Sequence, residues 1–432
     1  MSDSSGSSTA TFSGHTVSLP ALPWIEGLAR RAVAGRLERL ADGEIVLVED
    51  GVRRRYGRAT GALPSVRVEV ADPRFYTSLA LRGAVGAGES FIDGDWKCDD
   101  LVGLVRVLVR NEEAARGLDG GLAWLANRAE RIAHRFRRNS RDGSRRNIAA
   151  HYDLGNDFYA LFLDPTMTYS AGVFDPPGCS MEQASIAKYD RICRKLELSQ
   201  SDHLLEIGTG WGGFALHAAG RYGCRVTTTT ISREQRELAL ERVARAGLSD
   251  RVEILLEDYR ELSGRYDKLA SIEMIEAVGH EYLDAFFRIC CERLAPHGLM
   301  CLQCITTPDQ RYASSVRSVD FIKRYIFPGG QLVSLGAIVG STARTGDLRI
   351  AHLEDLTPHY AETLHHWRAR FDANRQAVRE LGYPEHFLRM WDFYLASCEG
   401  SFLERYTGSA QLLLYRPRAR LGSLSEREWA RA

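Results

Sequence analysis

The sequence predicts an α/β protein in which a doubly wound, mostly parallel sheet follows a small α+β domain. Three observations carry this. After His151, short apolar runs alternate with amphipathic stretches, the pattern of strands joined by crossover helices. At one junction, Leu204-Leu205-Glu206-Ile207-Gly208-Thr209-Gly210-Trp211-Gly212-Gly213, a strand runs through a glycine-rich turn into a helix. Before His151 the chain lacks this alternation and carries one amphipathic stretch followed by short strand-like runs.

The elements are expected in the following order. Residues 1–14 are Ser/Gly-rich with no apolar core, which reads as a disordered tail and not as a signal peptide. An accessory domain is expected over 15–127. It opens with a helix, since Trp24, Ile25, Leu28, Ala32 and Val33 recur at helical spacing. Strand-like runs follow at 44–49 and 66–70, and then a turn segment rich in Gly and acidic residues at 86–100, around Trp96. Residues 128–146 form a basic linker with eight Arg against Glu130 and Asp142. This is either a solvated helix face or a patch for anionic lipid headgroups. The catalytic domain is expected over 147–432. Within it, a helix is marked by Ile186, Tyr189, Ile192, Cys193 and Leu196, a strand by 203–207 and a helix by 214–222. A strand at 226–231 leads to a helix capped by Ser232. Strands at 252–256 and 268–272, a helix at 282–294 and a strand at 299–305 complete the series.

Composition excludes some functions. Lys+Arg and Asp+Glu both number 56, so no global field favours nucleic acid. No apolar run is long enough to span a bilayer. Nine Cys without a leader suggest reduced thiols in the cytoplasm. Cys301 and Cys304 form a C-x-x-C inside a buried strand with no second ligand pair nearby, so they read as core residues and no metal is expected.

Gly208, Gly210 and Gly213 satisfy G-x-G-x-x-G, which alone is a weak dinucleotide signal. Two features argue against a dinucleotide. Glu206 before the turn matches the E-x-G-x-G of Class I methyltransferases, and a long region precedes the first strand. The second strand ends in Thr228-Thr229-Thr230-Ile231-Ser232 without an acid for a ribose diol, which leaves Gln235 to hydrogen-bond there. Asp258, after the 252–256 strand, is placed to accept from an adenine amino group.

Several segments then resemble the cyclopropane-fatty-acyl-phospholipid synthase family. They are His151-Tyr152-Asp153-Leu154-Gly155-Asn156-Asp157-Phe158-Tyr159, Leu163-Asp164-Pro165-Thr166-Met167-Thr168-Tyr169-Ser170, Glu276 with Gly279-His280-Glu281-Tyr282, and Tyr325-Ile326-Phe327-Pro328-Gly329-Gly330. Pro358-His359-Tyr360 and Tyr394 through Gly400 continue the match, and residues 86–98 look like the N-terminal domain of the phospholipid-acting members. The resemblance covers about residues 60 to 415. It implies a Class I Rossmann-like methyltransferase with a mostly parallel seven-stranded sheet, an acyl pocket and S-adenosylmethionine as cofactor. The cofactor-binding set is then Tyr169, Ser170, Gly208, Gly210, Gly212, Thr230, Gln235, Asp258 and Tyr259. The implied reaction adds one carbon to a cis double bond of a phospholipid acyl chain through a carbocation. A bound bicarbonate is implied as the base, held by Glu276, Tyr360 and the backbone of Ile305. Tyr325, Phe327 and Tyr360 offer aromatic faces to the cation.

The departures are informative. The family's Cys is Ala171 here, and its strand His is Gln303, a neutral amide that cannot become cationic. The catalytic set is therefore Glu276, Tyr360, Gln303 and Ile305, with two members of the anion cradle changed. This favours the branch that shifts a hydride and forms an exocyclic methylene, as in 10-methylstearate formation, with a flavin-dependent reductase as downstream partner. A cyclopropane product is the alternative. An inactive paralogue, a membrane-binding scaffold and a small-molecule N- or O-methyltransferase fit fewer of the motifs. A homo-oligomer associated peripherally with the inner face of the cell membrane is expected.

Overall fold

The computed structural model describes residues 23–61, 63–111 and 154–421. The expected tail, the basic segment 128–146 and His151 to Asp153 lie outside these residues. The chain begins with α1 (Pro23–Leu37), β1 (Gly43–Glu49), β2 (Val52–Arg58), β3 (Ser65–Val70), α2 (Arg74–Asp93), β4 (Trp96–Cys98) and α3 (Leu101–Arg110). Asp50 and Gly51, both at positive φ, close the β1–β2 hairpin. The four strands pair in the order β2-β1-β3-β4, with β1 and β3 parallel.

Two expectations need correction here. The first helix exists, but it buries Ala29, Val33 and Leu37 against this sheet and leaves Trp24 64% and Leu28 50% exposed. The 86–100 segment is not a turn throughout, since residues 86–93 continue α2. Its glycines serve close packing. A Cβ on Gly88 would come within 2.6–2.9 Å of the Phe321 and Phe393 rings, so α2 can approach the second domain closely only at a glycine. Gly94 ends the helix in the left-handed conformation, and β4 follows after Asp95.

The second domain runs α4 (Asn156–Ala160), α5 (Met181–Lys195), β5 (His203–Ile207), α6 (Gly213–Tyr222), β6 (Arg225–Thr229), α7 (Arg233–Arg245), β7 (Val252–Leu255), β8 (Tyr266–Ile272), α8 (Leu283–Arg293) and β9 (Leu294–Thr306). Then come α9 (Asp309–Arg317), α10 (Leu335–Thr345), β10 (Arg349–Asp355), α11 (Thr357–Ala373), α12 (Arg375–Glu380), α13 (Glu385–Leu403) and β11 (Gly408–Tyr415). The expected strands and helices of this half all appear, with ends displaced by a few residues at most apart from β9, which begins earlier. Ser232 accepts from the Gln235 N–H as the cap of α7. The sheet has seven strands in the order β10-β11-β9-β8-β5-β6-β7. The five strands from β9 to β7 are parallel, and β11 is antiparallel to both neighbours.

Cys301 and Cys304, three apart on β9, fall on opposite faces of the sheet and join different cores. They cannot share an ion. Helix α13 packs against α11, α3 and α2, and so ties the two domains together. Glu89 of α2 reinforces this contact by accepting from Tyr325 and pairing with Arg82 and Arg324. No described helix is long and apolar enough to cross a membrane.

Candidate active site

The parallel strands β5, β6, β7 and β8 deliver their C-terminal ends to one edge of the sheet, where helix N-termini and loops converge. The turn after β5 hooks onto β6, because the N–H groups of Gly208 and Thr209 both donate to the Thr229 carbonyl at 3.1 and 3.0 Å. Gly208 (φ 97°) must lack a side chain, since a Cβ would meet Met274 at 2.9 Å. Gly210 (φ 51°) faces open space, so a ligand can approach its backbone. Gly212 turns the chain into α6.

A cavity of about 1280 Å³ opens from this turn. Tyr169, Ser170, Gly208, Gly210, Thr230, Gln235, Asp258 and Tyr259 all line it. Gly212 stands behind the turn. The Thr230 hydroxyl donates to Gln235 Oε1 at 3.0 Å, which orients that amide. Asp258 is held by Arg260, whose Nη2 lies 2.6 Å from Oδ2. The Tyr169 hydroxyl lies 2.9 Å from that of Tyr394, and the Tyr169 ring packs on Trp367. Ser170 accepts from the Lys188 ammonium at 2.7 Å. Lys188 is fully buried, and desolvation brings its amine down to about 8. Glu206 accepts from the Thr228 hydroxyl at 2.6 Å, yet burial still pushes its carboxyl up to about 7. A glycine turn at a sheet edge, with polar groups at the next two strand ends, fits S-adenosylmethionine.

Beyond the turn lie the carboxylates. Glu276, Ile305 and Tyr360 line the cavity, and Gln303 sits fully buried on β9 beside Glu273. Glu276 accepts from the Ile305 N–H through Oε1. Its Oε2 is shielded from water and has no hydrogen-bond partner among the described residues. Burial, with the neighbouring Glu273, pushes the Glu276 carboxyl up to about 8. Tyr360 and Gln303 do not point at Glu276. Both bond to Glu273, a residue that sequence reasoning passed over. Only its place at the end of a buried strand hinted at a role. Phe327 lines the cavity, whereas Tyr325 is bound to Glu89 and is absent from the cavity wall.

An apolar stretch of the remaining wall comes from the first domain, with Leu79, Val85, Leu101, Leu104 and Val105 of α2 and α3, while Gln310, Arg311, Ser315, Asp320 and Lys323 add a polar stretch from the second. The cavity is therefore larger than a small-molecule pocket of roughly 300–1,000 Å³ and joins a polar end to an apolar one.

The fold and this site define a Class I Rossmann-like, S-adenosylmethionine-dependent methyltransferase. Residues 139–412 match the family model for mycolic acid cyclopropane synthetase, and the chain belongs to that family. It is 39% identical over 371 residues to the tuberculostearic acid methyltransferase of Mycobacterium tuberculosis, covering 83% of this chain and 86% of that one. It is 34% identical over 353 residues to the cyclopropane-fatty-acyl-phospholipid synthase of Escherichia coli, covering 81% and 88%. Among solved structures it is similar to a mycolic acid cyclopropane synthase complexed with S-adenosylhomocysteine and CTAB. That match has a TM-score of 0.59 and 32% identity, and covers 63% of this chain and 98% of the other.

Proposed function

We propose that the chain adds a one-carbon unit to the cis double bond of an unsaturated phospholipid acyl chain and yields a methylene-branched product. The observation that carries this reading is the single cavity joining the glycine turn to the apolar faces of α2 and α3. It has room for a cofactor at one end and a long alkyl chain at the other. Bound S-adenosylmethionine supplies an electrophilic methyl group. The alkene is a weak nucleophile, and methyl addition leaves a carbocation on the acyl chain. The residues suit that demand. Tyr169, Ser170, Gly208, Gly210, Thr230, Gln235, Asp258 and Tyr259 hold the cofactor, and Gly212, behind the turn, serves only to lead the chain into α6. The Phe327 and Tyr360 rings face the cavity and favour a cation. The cluster of Glu276, Tyr360, Gln303 and Ile305 supplies fixed dipoles, and Glu273 beside it a second carboxyl group, in a largely buried site.

The methylene product rests on Ala171 and Gln303, which alter the family's anion cradle. It implies a flavin-dependent reductase that consumes it. The 128–146 segment supports peripheral contact with anionic lipid at the cytoplasmic face, and a homo-oligomer is part of this reading. The test is direct. Purified protein is incubated with S-adenosylmethionine and oleoyl phospholipid vesicles, and the fatty acids are examined by mass spectrometry and NMR. One added carbon with exocyclic methylene protons is the expected result, and unchanged oleate refutes the reading.

A further inference from the structure

We propose that Glu273 is the base of this reaction, a carboxylate of the chain itself standing where the family resemblance implied a bound bicarbonate. The inference rests on the acyl-methylating function proposed above.

Three donors from distant parts of the chain converge on this side chain. The Ala171 N–H donates to Oε1 at 2.9 Å, the Gln303 amide to Oε1 at 2.9 Å, and the Tyr360 hydroxyl to Oε2 at 2.7 Å. These are the positions expected to cradle a free anion, and their donors are already turned to a fixed one. A bicarbonate would have to displace the Glu273 carboxylate to use the same three donors. Glu273 also lies on the cavity wall, so its carboxylate reaches the space where the acyl chain would react.

The backbone gives a second, independent observation. Glu273 has φ 48°, the left-handed region where only glycine is free of strain. A glutamate is costly at that position. The three hydrogen bonds give a reason for one.

Charge separates the two acids. Glu276 has one unpartnered oxygen and is raised by burial and by Glu273, so the proton of the pair resides on it. Burial raises the Glu273 carboxyl too, but the Gln303 and Ala171 donors, Tyr360 and the Lys188 charge act against that. Glu273 is thus the better hydrogen-bonded of the two acids, and its three donors favour its charged form.

The step balances without a co-reactant. A C–H bond of the transferred methyl breaks and its proton passes to a Glu273 oxygen. The electron pair becomes the new C=C bond after the hydride shift, or the third ring bond without it. The cation is neutralised, and Glu273 returns its proton to solvent when product leaves.

The test uses the full chain with S-adenosylmethionine and oleoyl phosphatidylglycerol vesicles. The parent should turn over equally well in bicarbonate-free and bicarbonate-containing buffer. Glu273→Gln should bind cofactor within a few-fold of the parent by calorimetry yet lose about a hundredfold or more in turnover. Glu273→Gly removes both strain and carboxylate and leaves three donors open. It should be inactive without bicarbonate, regain turnover with it, and broaden the ¹³C-bicarbonate NMR line where the parent does not. A parent that slows on bicarbonate removal and recovers on its return overturns the proposal, and this arm needs no variant to fold. Near-parental turnover by Glu273→Gln also overturns it. If the parent leaves the oleate unmethylated, the function reading fails instead.

Discussion

Glu276→Gln offers a direct physical check on the buried acid pair. Glu276 Oε2 has no hydrogen-bond partner among the described residues, and burial takes the carboxyl from 4.5 to about 8. In the unfolded chain the same group titrates near ~4.3. Between these values the folded protein holds a proton that the unfolded chain has released. Stability from this group is therefore present at low pH and is lost as pH rises toward about 8. A gap of about 3.5 pH units at ~1.4 kcal/mol each sets an upper bound of about 5 kcal/mol. Part of the residue faces the cavity, and half of that figure is a reasonable expectation. Glutamine keeps an acceptor for the Ile305 N–H and cannot ionise. Thermal unfolding by circular dichroism, compared between parent and variant at pH 5 and pH 9, isolates the term because other groups titrate in both. Similar midpoints are expected at pH 5. At pH 9 the variant should melt higher by roughly 5 °C, at about 2 °C per kcal/mol for a large domain. Parallel curves across this range would show that Glu276 is not a buried neutral acid, and its contrast with Glu273 would lose its electrostatic basis.

Gly210→Val should remove cofactor binding by calorimetry, because a β-branched residue resists φ 51° and fills the approach to the turn; unchanged affinity would disprove the assigned turn. Neutralising the eight Arg in 128–146 should weaken binding to anionic vesicles, and the parent's binding should fall with salt; equal vesicle sedimentation of parent and variant counts against the lipid patch. Without a reductase, methylene-branched chains should accumulate, and a product containing only cyclopropane rings would reverse the branch assignment while leaving the family intact.

The second domain was legible because its strands are short, apolar and bounded by turn residues. The strand expected at 203–207 is β5 with the same bounds. The glycine turn was legible for a similar reason, since its sequence and its backbone geometry are one local fact. The first domain was harder. Gly86 and Gly88 look like turn residues in sequence, but they are helical and admit neighbouring groups at close range. Trp24 and Leu28 sit at helical spacing, but which face a helix buries depends on where the sheet lies, and here that face carries Ala29, Val33 and Leu37.

The catalytic centre divides along the same line. Sequence alone determined the fold class and the cofactor turn, while the grouping of Glu276, Tyr360, Gln303 and Ile305 was an expectation from the family resemblance. Those inferences rest on periodicity and on contiguous motifs. Only the tertiary structure decided which carboxylate the donors serve. Ala171, Glu273, Gln303 and Tyr360 belong to a loop, a strand end, a neighbouring strand and a helix, and their hydrogen bonds span 30 to 102 residues of chain. No local pattern records such a convergence. It exists because the parallel sheet brings β8 and β9 side by side and α11 packs across their ends, so that one buried carboxylate meets three donors that the sequence keeps far apart.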